Sequence, residues 1–171
     1  MNLIQEDNFF PNINEILPQI KKTKLYNLED FRNVTGRRGV QWPGLRSLSL
    51  DLANPILHEY VKLLIHHKKL LEPGLWEIAS FIHMKLEDDN TKDWIHSDDN
   101  DFAALIYLSD TNLNSGTHLF DNDDNIINDI KFVKNRFVAY SGSIRHVGYG
   151  HHGNSIENGR LSINLFINKV K

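Results

Sequence analysis

Cysteine is missing from all 171 residues, which excludes disulfides, thiolate metal sites and cysteine nucleophiles. No run approaches the ~18 consecutive apolar residues of a membrane-spanning helix. The opening MNLIQEDNFF has acids where a secretory leader carries positive charge. Together these absences predict a cytoplasmic protein with no membrane association. Charge of one sign is lacking too: 19 basic and 22 acidic residues are interspersed and leave a net charge of −3. That balance offers no electrostatic footprint for DNA or RNA, so a nucleic-acid partner is not expected. Internal repeats and low-complexity tracts are also missing.

What is present describes a globular chain. Hydrophobic residues make up 40 % and charged residues 24 %, with three tryptophans. A chain of this length buries about 70 % of its unfolded surface, so a single domain over 1–171 is expected. Residues 1–74 read as a helical N-terminal support. In 12-NINEILPQIKK-22 the amphipathic pattern is short, and Pro18 should kink or end it. In 54-NPILHEYVKLLIHHKKLL-71, Asn54 suits the cap and Pro55 the first turn. Ile56, Tyr60, Leu63, Leu64 and Leu71 recur near helical spacing, with a stop before Pro73-Gly74.

From Leu75 the period changes to that of strands: 75–86, 102–109, 116–120, 130–133, 136–140 and 160–170, separated by Asn, Asp, Gly and Ser clusters. The acidic stretch 121-DNDDNIIND-129 reads as a solvated connection, with a calcium site as the alternative, although its spacing does not match an EF-hand loop. The predicted fold is mainly β with supporting helices, a jelly-roll double sheet over 75–171 with the N-terminal helices packed on one outer face.

Three stretches carry chemistry. In 94-WIHSDD-99, His96 and Asp98 are i and i+2 on an extended segment, so both side chains face one way with Cα atoms about 7 Å apart. A third ligand is offered by His146 in 141-SGSIRHVGYG-150, with His151 and His152 as further histidines nearby. Two histidines and a carboxylate with open positions are the ligand set of non-haem Fe(II) oxygenases, and zinc hydrolases use the same donors. The last strand, 160-RLSINLFI-167, puts Leu161, Ile163, Leu165 and Ile167 on one face and Arg160, Ser162, Asn164 and Phe166 on the other. An inward arginine needs an anion, because an unpaired buried guanidinium costs several kcal/mol. A small dicarboxylate held by Arg160, with hydrogen bonds from Ser162 and Tyr107, would answer that need.

Taken in order, 96-HSD-98, the ALIYLS strand (104–109), Ser115-Gly116-Thr117 with Phe120, 136-RFVAYSGSIRHVG-148 and Arg160-Leu161-Ser162 resemble the iron- and 2-oxoglutarate-dependent dioxygenases, nearest their prolyl-4-hydroxylase-like branch. The resemblance implies a double-stranded β-helix with Fe(II) on His96, Asp98 and His146. It also implies 2-oxoglutarate with its distal carboxylate on Arg160, Ser162 and Tyr107. With O2 as co-reactant, and ascorbate as a stimulant, such an enzyme hydroxylates a C–H of a small-molecule or peptidyl substrate and releases succinate and CO2. The rival expectation is a cupin-like or lectin-like jelly roll that holds zinc or manganese without redox chemistry.

The segment 36-GRRGVQWPGLRS-47 reads in two ways. Arg37, Arg38, Trp42 and Arg46 are either a lid that folds over the metal to meet the substrate, or cations paired with surface acids. His66 and His67 read as helix surface, His118 as outward-pointing, and His83 or Met84 as a neighbour of the metal motif. Trp76 and Trp94 read as core.

Overall fold

A computed structural model of the protein describes residues 3–87, 93–150 and 152–170. In chain order the elements are β1 (Ile4–Glu6), α1 (Ile13–Ile20), α2 (Leu28–Thr35), β2 (Leu45–Arg46), α3 (Leu50–Ala53), α4 (Pro55–His67), β3 (Trp76–Lys85), β4 (Phe102–Tyr107), β5 (Asn112–Phe120), β6 (Ile126–Phe132), β7 (Phe137–Ser141), β8 (Arg145–Tyr149) and β9 (Arg160–Lys169). The strands form two antiparallel sheets, one ordered β1-β7-β4-β9-β3-β2 and one ordered β6-β5-β8. This is the double-stranded β-helix with helices against one sheet. Among the described residues, no helix is long and apolar enough to cross a membrane.

Strand β9 sits between β4 and β3 in the large sheet, and its alternation decides what each face does. Leu161, Ile163, Leu165 and Ile167 enter a core shared with Ile82 and Met84 of β3, Ala104 and Ile106 of β4, and the helices. Each such side chain, fully buried, contributes roughly 1.5–3 kcal/mol. The opposite face looks toward the small sheet. There a second core of Ala103, Tyr107, Leu119, Ile130, Phe132, Val138 and Tyr140 joins the two layers.

Helix α4 starts as expected: the Asn54 side chain accepts from the Leu57 N–H at 3.2 Å and Pro55 opens the first turn. It ends at His67, short of the expected stop, because Lys69 takes a left-handed conformation (φ 53°). Its buried face is Leu57, His58, Val61, Leu64 and Ile65, whereas Ile56 and Leu63 are exposed. Apolar residues surround much of this helix, so spacing did not single out the face that meets the sheet. His58 fits that face because its Nδ1 lies 2.8 Å from Ser80 Oγ on β3.

Pro18 lies inside α1 without ending it, and the Lys21 N–H still reaches the Leu17 carbonyl. Helix α2 was not anticipated, although its signals are in the sequence. Asn27 Oδ1 accepts from the Asp30 N–H at 2.8 Å, and Gly36 closes the helix at φ 71°, where a Cβ would be strained. Strand β6 begins at Ile126, inside the stretch expected to be wholly a connection.

Candidate active site

The two sheets enclose a cavity of about 210 Å³ whose lining includes His96, Asp98, His146, Thr117, Tyr140 and Arg160. Its cluster of candidate metal ligands arises from pairing between distant segments. The His96 N–H donates to the His146 carbonyl at 3.1 Å and the His146 N–H donates back at 2.7 Å. Directly opposed residues of an antiparallel pair share a face, so the two imidazoles stand together with ring centroids 4.4 Å apart. Asp98, two residues on, keeps to that face, and its N–H donates to the Gly142 carbonyl at 2.8 Å. One ligand atom from each of His96, Asp98 and His146 lies within 4.8 Å of the others. His146 therefore lies within strand β8 rather than past the end of one, as the sequence suggested.

Both rings are held in the same way. His96 Nδ1 is 2.9 Å from the Trp94 carbonyl and His146 Nδ1 is 2.9 Å from the Ile144 carbonyl. A carbonyl only accepts, so each Nδ1 carries the proton and each Nε2 is free to ligate a metal. Burial lowers the His146 pKa from its ordinary value, against the pull of the Ile144 carbonyl, which favours the neutral ring a metal requires. The Tyr140 ring packs edge-on against His146 at 5.0 Å, and burial raises its phenol well above the usual range. This donor set fits a divalent ion of the Fe(II) or Zn(II) class.

Deeper in the cavity, Arg160 is 8 % exposed. Its Nη2 donates to the Gly116 carbonyl at 3.2 Å, and its Cζ lies 5.3 Å from the Phe132 ring centroid and 5.7 Å from that of Tyr107. Nε is buried without a partner, and among the described residues no carboxylate pairs with the guanidinium. Gly148 faces it: a Cβ there would stand 3.5 Å from Nη2. One cavity is thus lined by both a candidate metal-ligand set and a guanidinium with no carboxylate partner among the described residues.

The expected helpers of Arg160 are placed differently. The Ser162 hydroxyl donates to Asn164 Oδ1 at 2.8 Å and does not line the cavity. Tyr107 is fully buried beneath Arg160, its hydroxyl 2.8 Å from Thr117 Oγ1, and Thr117 is the residue of this pair that reaches the cavity. Thr117 was legible only as part of the Ser-Gly-Thr element, without a role.

The other wall comes from the N-terminal segment. Arg46 lies in β2, where it exchanges backbone hydrogen bonds with Tyr26 and pairs with His83 of β3. Its Cζ is 4.6 Å from the Trp42 ring centroid and 5.3 and 5.9 Å from those of Phe81 and Phe166. Burial lowers its pKa to about 10, against the opposing influence of Asp98. Trp42 is buried edge-on to Phe31, and both Trp42 and Arg46 line the cavity. Arg37 and Arg38 are exposed and stand outside it. The arginine-rich segment is thus divided: half is a wall tied to β3, half is solvated. His83 also lines the cavity, with Nε2 2.6 Å from the Pro43 carbonyl, while Met84 turns to the outer core. Burial and the nearby Arg46 lower the His83 pKa to about 3.

At the mouth, Lys85 pairs with Asp93, and Trp94 is 41 % exposed rather than in the core. Trp76 packs at the margin of the outer core. His118 stacks on Tyr149 at 3.8 Å and meets Asp129 at 3.5 Å, away from the cluster. His152 packs on Phe132 instead of joining the ligands, His66 and His67 are exposed, and His151 lies outside the described residues.

No family model and no curated protein sequence matches the chain. Solved structures do. A prolyl-4-hydroxylase from Pseudomonas putida aligns over 99 % of this chain and 93 % of its own, at 16 % identity and TM-score 0.61. HygX from Streptomyces hygroscopicus, with nickel and 2-oxoglutarate bound, aligns over 98 % and 83 %, at 8 % identity and TM-score 0.64. The chain has the fold of the 2-oxoglutarate-dependent oxygenases. A viral collagen prolyl hydroxylase from Paramecium bursaria Chlorella virus-1 extends the likeness, over 100 % of this chain and 91 % of its own, at 11 % identity and TM-score 0.51. Within this oxygenase fold, the histidine-aspartate-histidine cluster and Arg160 open on one cavity.

Proposed function

We propose that the protein is an Fe(II)- and 2-oxoglutarate-dependent oxygenase that hydroxylates an unactivated C–H of a small-molecule or peptidyl substrate. The observation that carries this reading is a buried, unpaired Arg160 in the same cavity as the His96, Asp98 and His146 cluster. A jelly roll that merely stores zinc or manganese has no use for that guanidinium.

His96, Asp98 and His146 would hold the metal, as the two-histidine, one-carboxylate donor set suited to Fe(II). Arg160 grips the distal carboxylate of 2-oxoglutarate, and the Thr117 hydroxyl, fixed by Tyr107, lies beside it. Tyr107 and Phe132 support the guanidinium from below, and Gly148 leaves it uncovered. When bound, the iron couples oxidation of 2-oxoglutarate by O2, giving succinate and CO2, to insertion of one oxygen atom into the substrate C–H. The protein's part is to order the reactants and exclude water, a task suited to the apolar walls of Phe166, Trp42 and Tyr140. No protein base is needed.

Purified protein given Fe(II), ascorbate and labelled 2-oxoglutarate should form labelled succinate, slowly without substrate and faster with it. If 2-oxoglutarate neither binds nor turns over while zinc co-purifies tightly, the non-redox metal-binding reading replaces this one.

A further inference from the structure

Four charged side chains other than Arg160 line the cavity, and three are accounted for. Lys85 pairs with Asp93, and Asp98 belongs to the ligand cluster. With a divalent ion and a diacid seated as proposed above, the ion and Arg160 are balanced by Asp98 and the diacid. Arg46 is left over. Among the described residues it has no ion-pair partner, and its Nε is buried with no hydrogen-bond acceptor. Trp42, whose ring centroid is 4.6 Å from Arg46 Cζ, carries a second buried donor without an acceptor, its indole Nε1. A desolvated cation and an orphaned N–H beside it call for an anionic acceptor.

We infer that Arg46, with Trp42, binds a carboxylate of the substrate, and that the substrate is a small carboxylic acid such as a free amino acid. The size of the cavity argues for a small one: about 210 Å³ falls below the ~300–1,000 Å³ of ordinary ligand pockets. The aromatic rings of Trp42, Phe81 and Phe166 around the guanidinium hold it in a fixed place and keep water from competing. This inference rests on the oxygenase reading for the position of the substrate, and extends it to the substrate's chemistry.

The test is calorimetric binding to anaerobic, Fe(II)-loaded protein, with and without 2-oxoglutarate. The probes are free L-amino acids, their carboxamides, and peptides with an acidic side chain but blocked ends. At least one free amino acid should bind, its amide about 30-fold or more weaker. Arg46→Gln should weaken the acid by a similar factor and leave 2-oxoglutarate binding in place, whereas Arg160→Met should do the reverse. Arg46→Lys, which keeps the charge and loses the fork, should fall between. Trp42→Phe keeps the aromatic wall and should lower acid affinity through the lost N–H alone, a check that does not depend on the folding of Arg46→Gln. Binding of the amides as tightly as the acids, binding of no free acid, preference for the blocked acidic peptides, or loss of 2-oxoglutarate in Arg46→Gln would each overturn the inference. Wild-type protein that binds an acid through Arg46 but never 2-oxoglutarate would sink the oxygenase reading and leave the anion site standing.

Discussion

Replacing Arg160 with methionine separates ligand binding from folding, with effects of opposite sign. In the free protein the guanidinium is 8 % exposed, with one hydrogen bond to a backbone carbonyl and a buried Nε without an acceptor. Its contacts with the Phe132 and Tyr107 rings return about 1–2 kcal/mol, less than the several kcal/mol that desolvating a charge costs. A methionine fills the same channel without that cost, so unfolding free energy should hold or rise, by up to roughly 1–4 kcal/mol. The diacid should lose the proposed charge-assisted, two-point contact, worth about 2–5 kcal/mol, and bind roughly 30- to 5,000-fold more weakly. Urea unfolding of the metal-free protein reads the first effect, and titration of 2-oxoglutarate into anaerobic Fe(II)-loaded protein reads the second. At 100 times its dissociation constant, 2-oxoglutarate should stabilise the wild type by about 2.7 kcal/mol and the variant hardly at all. A methionine variant that is much less stable when free, yet binds 2-oxoglutarate like the wild type, would refute the reasoning, because Arg160 would then be a structural cation.

Three further outcomes are expected. A Cβ at position 142 would stand 2.1 Å from the Asn100 carbonyl, where Gly142 also bonds the Asp98 and Asp101 backbone. Gly142→Ala should therefore cost about 1–3 kcal/mol and weaken metal binding by parting Asp98 from His146, as metal content after dialysis would reveal; unchanged affinity would mean the loop adjusts freely. His83 is buried with its pKa lowered to about 3, so the unfolded chain takes up its proton first as pH falls below 6.5. Its contribution to stability declines through that window, at about 1.4 kcal/mol per pH unit, and His83→Gln should show a shallower acid limb in urea midpoints. Asp7 is paired with Arg136 through two contacts of 2.5 and 2.9 Å, the hydrogen bond lowering its pKa from 3.8. That pair stabilises the fold above the unfolded value and is lost as pH falls through the lower folded one, so Asp7→Asn should remove a small, salt-screened part of the acid transition below pH 4.

Local periodicity made much of the architecture legible. Alternation along β9 named the four core residues and the polar wall opposite them, and Asn54-Pro55 marked the start of α4, because both signals depend only on neighbours in the chain. The same signals misjudged the buried face of α4, where Ile56 and Leu63 are as apolar as the residues the sheet covers. Two-residue β2 and the β8 strand around His146 are too short, or too rich in glycine and charge, to announce themselves; they exist through their partners β3 and β5.

The site divides along the same line. His96 and Asp98 are adjacent in sequence, so their shared face followed from the backbone period alone. The sequence already offers His146, of three nearby histidines, as the third ligand, and what brings it to His96 is their reciprocal backbone pair, a contact across fifty residues of chain. Thr117 rather than Ser162 reaches the cavity because the Ser162 hydroxyl is taken by its neighbour Asn164. Arg46 meets the cavity, and Arg37 and Arg38 do not, because only Arg46 lies on the strand that pairs with His83. Which side chains exist, and which way each turns along its own strand, is a property of sequence; which of them meet depends on pairing between segments that the sequence keeps far apart.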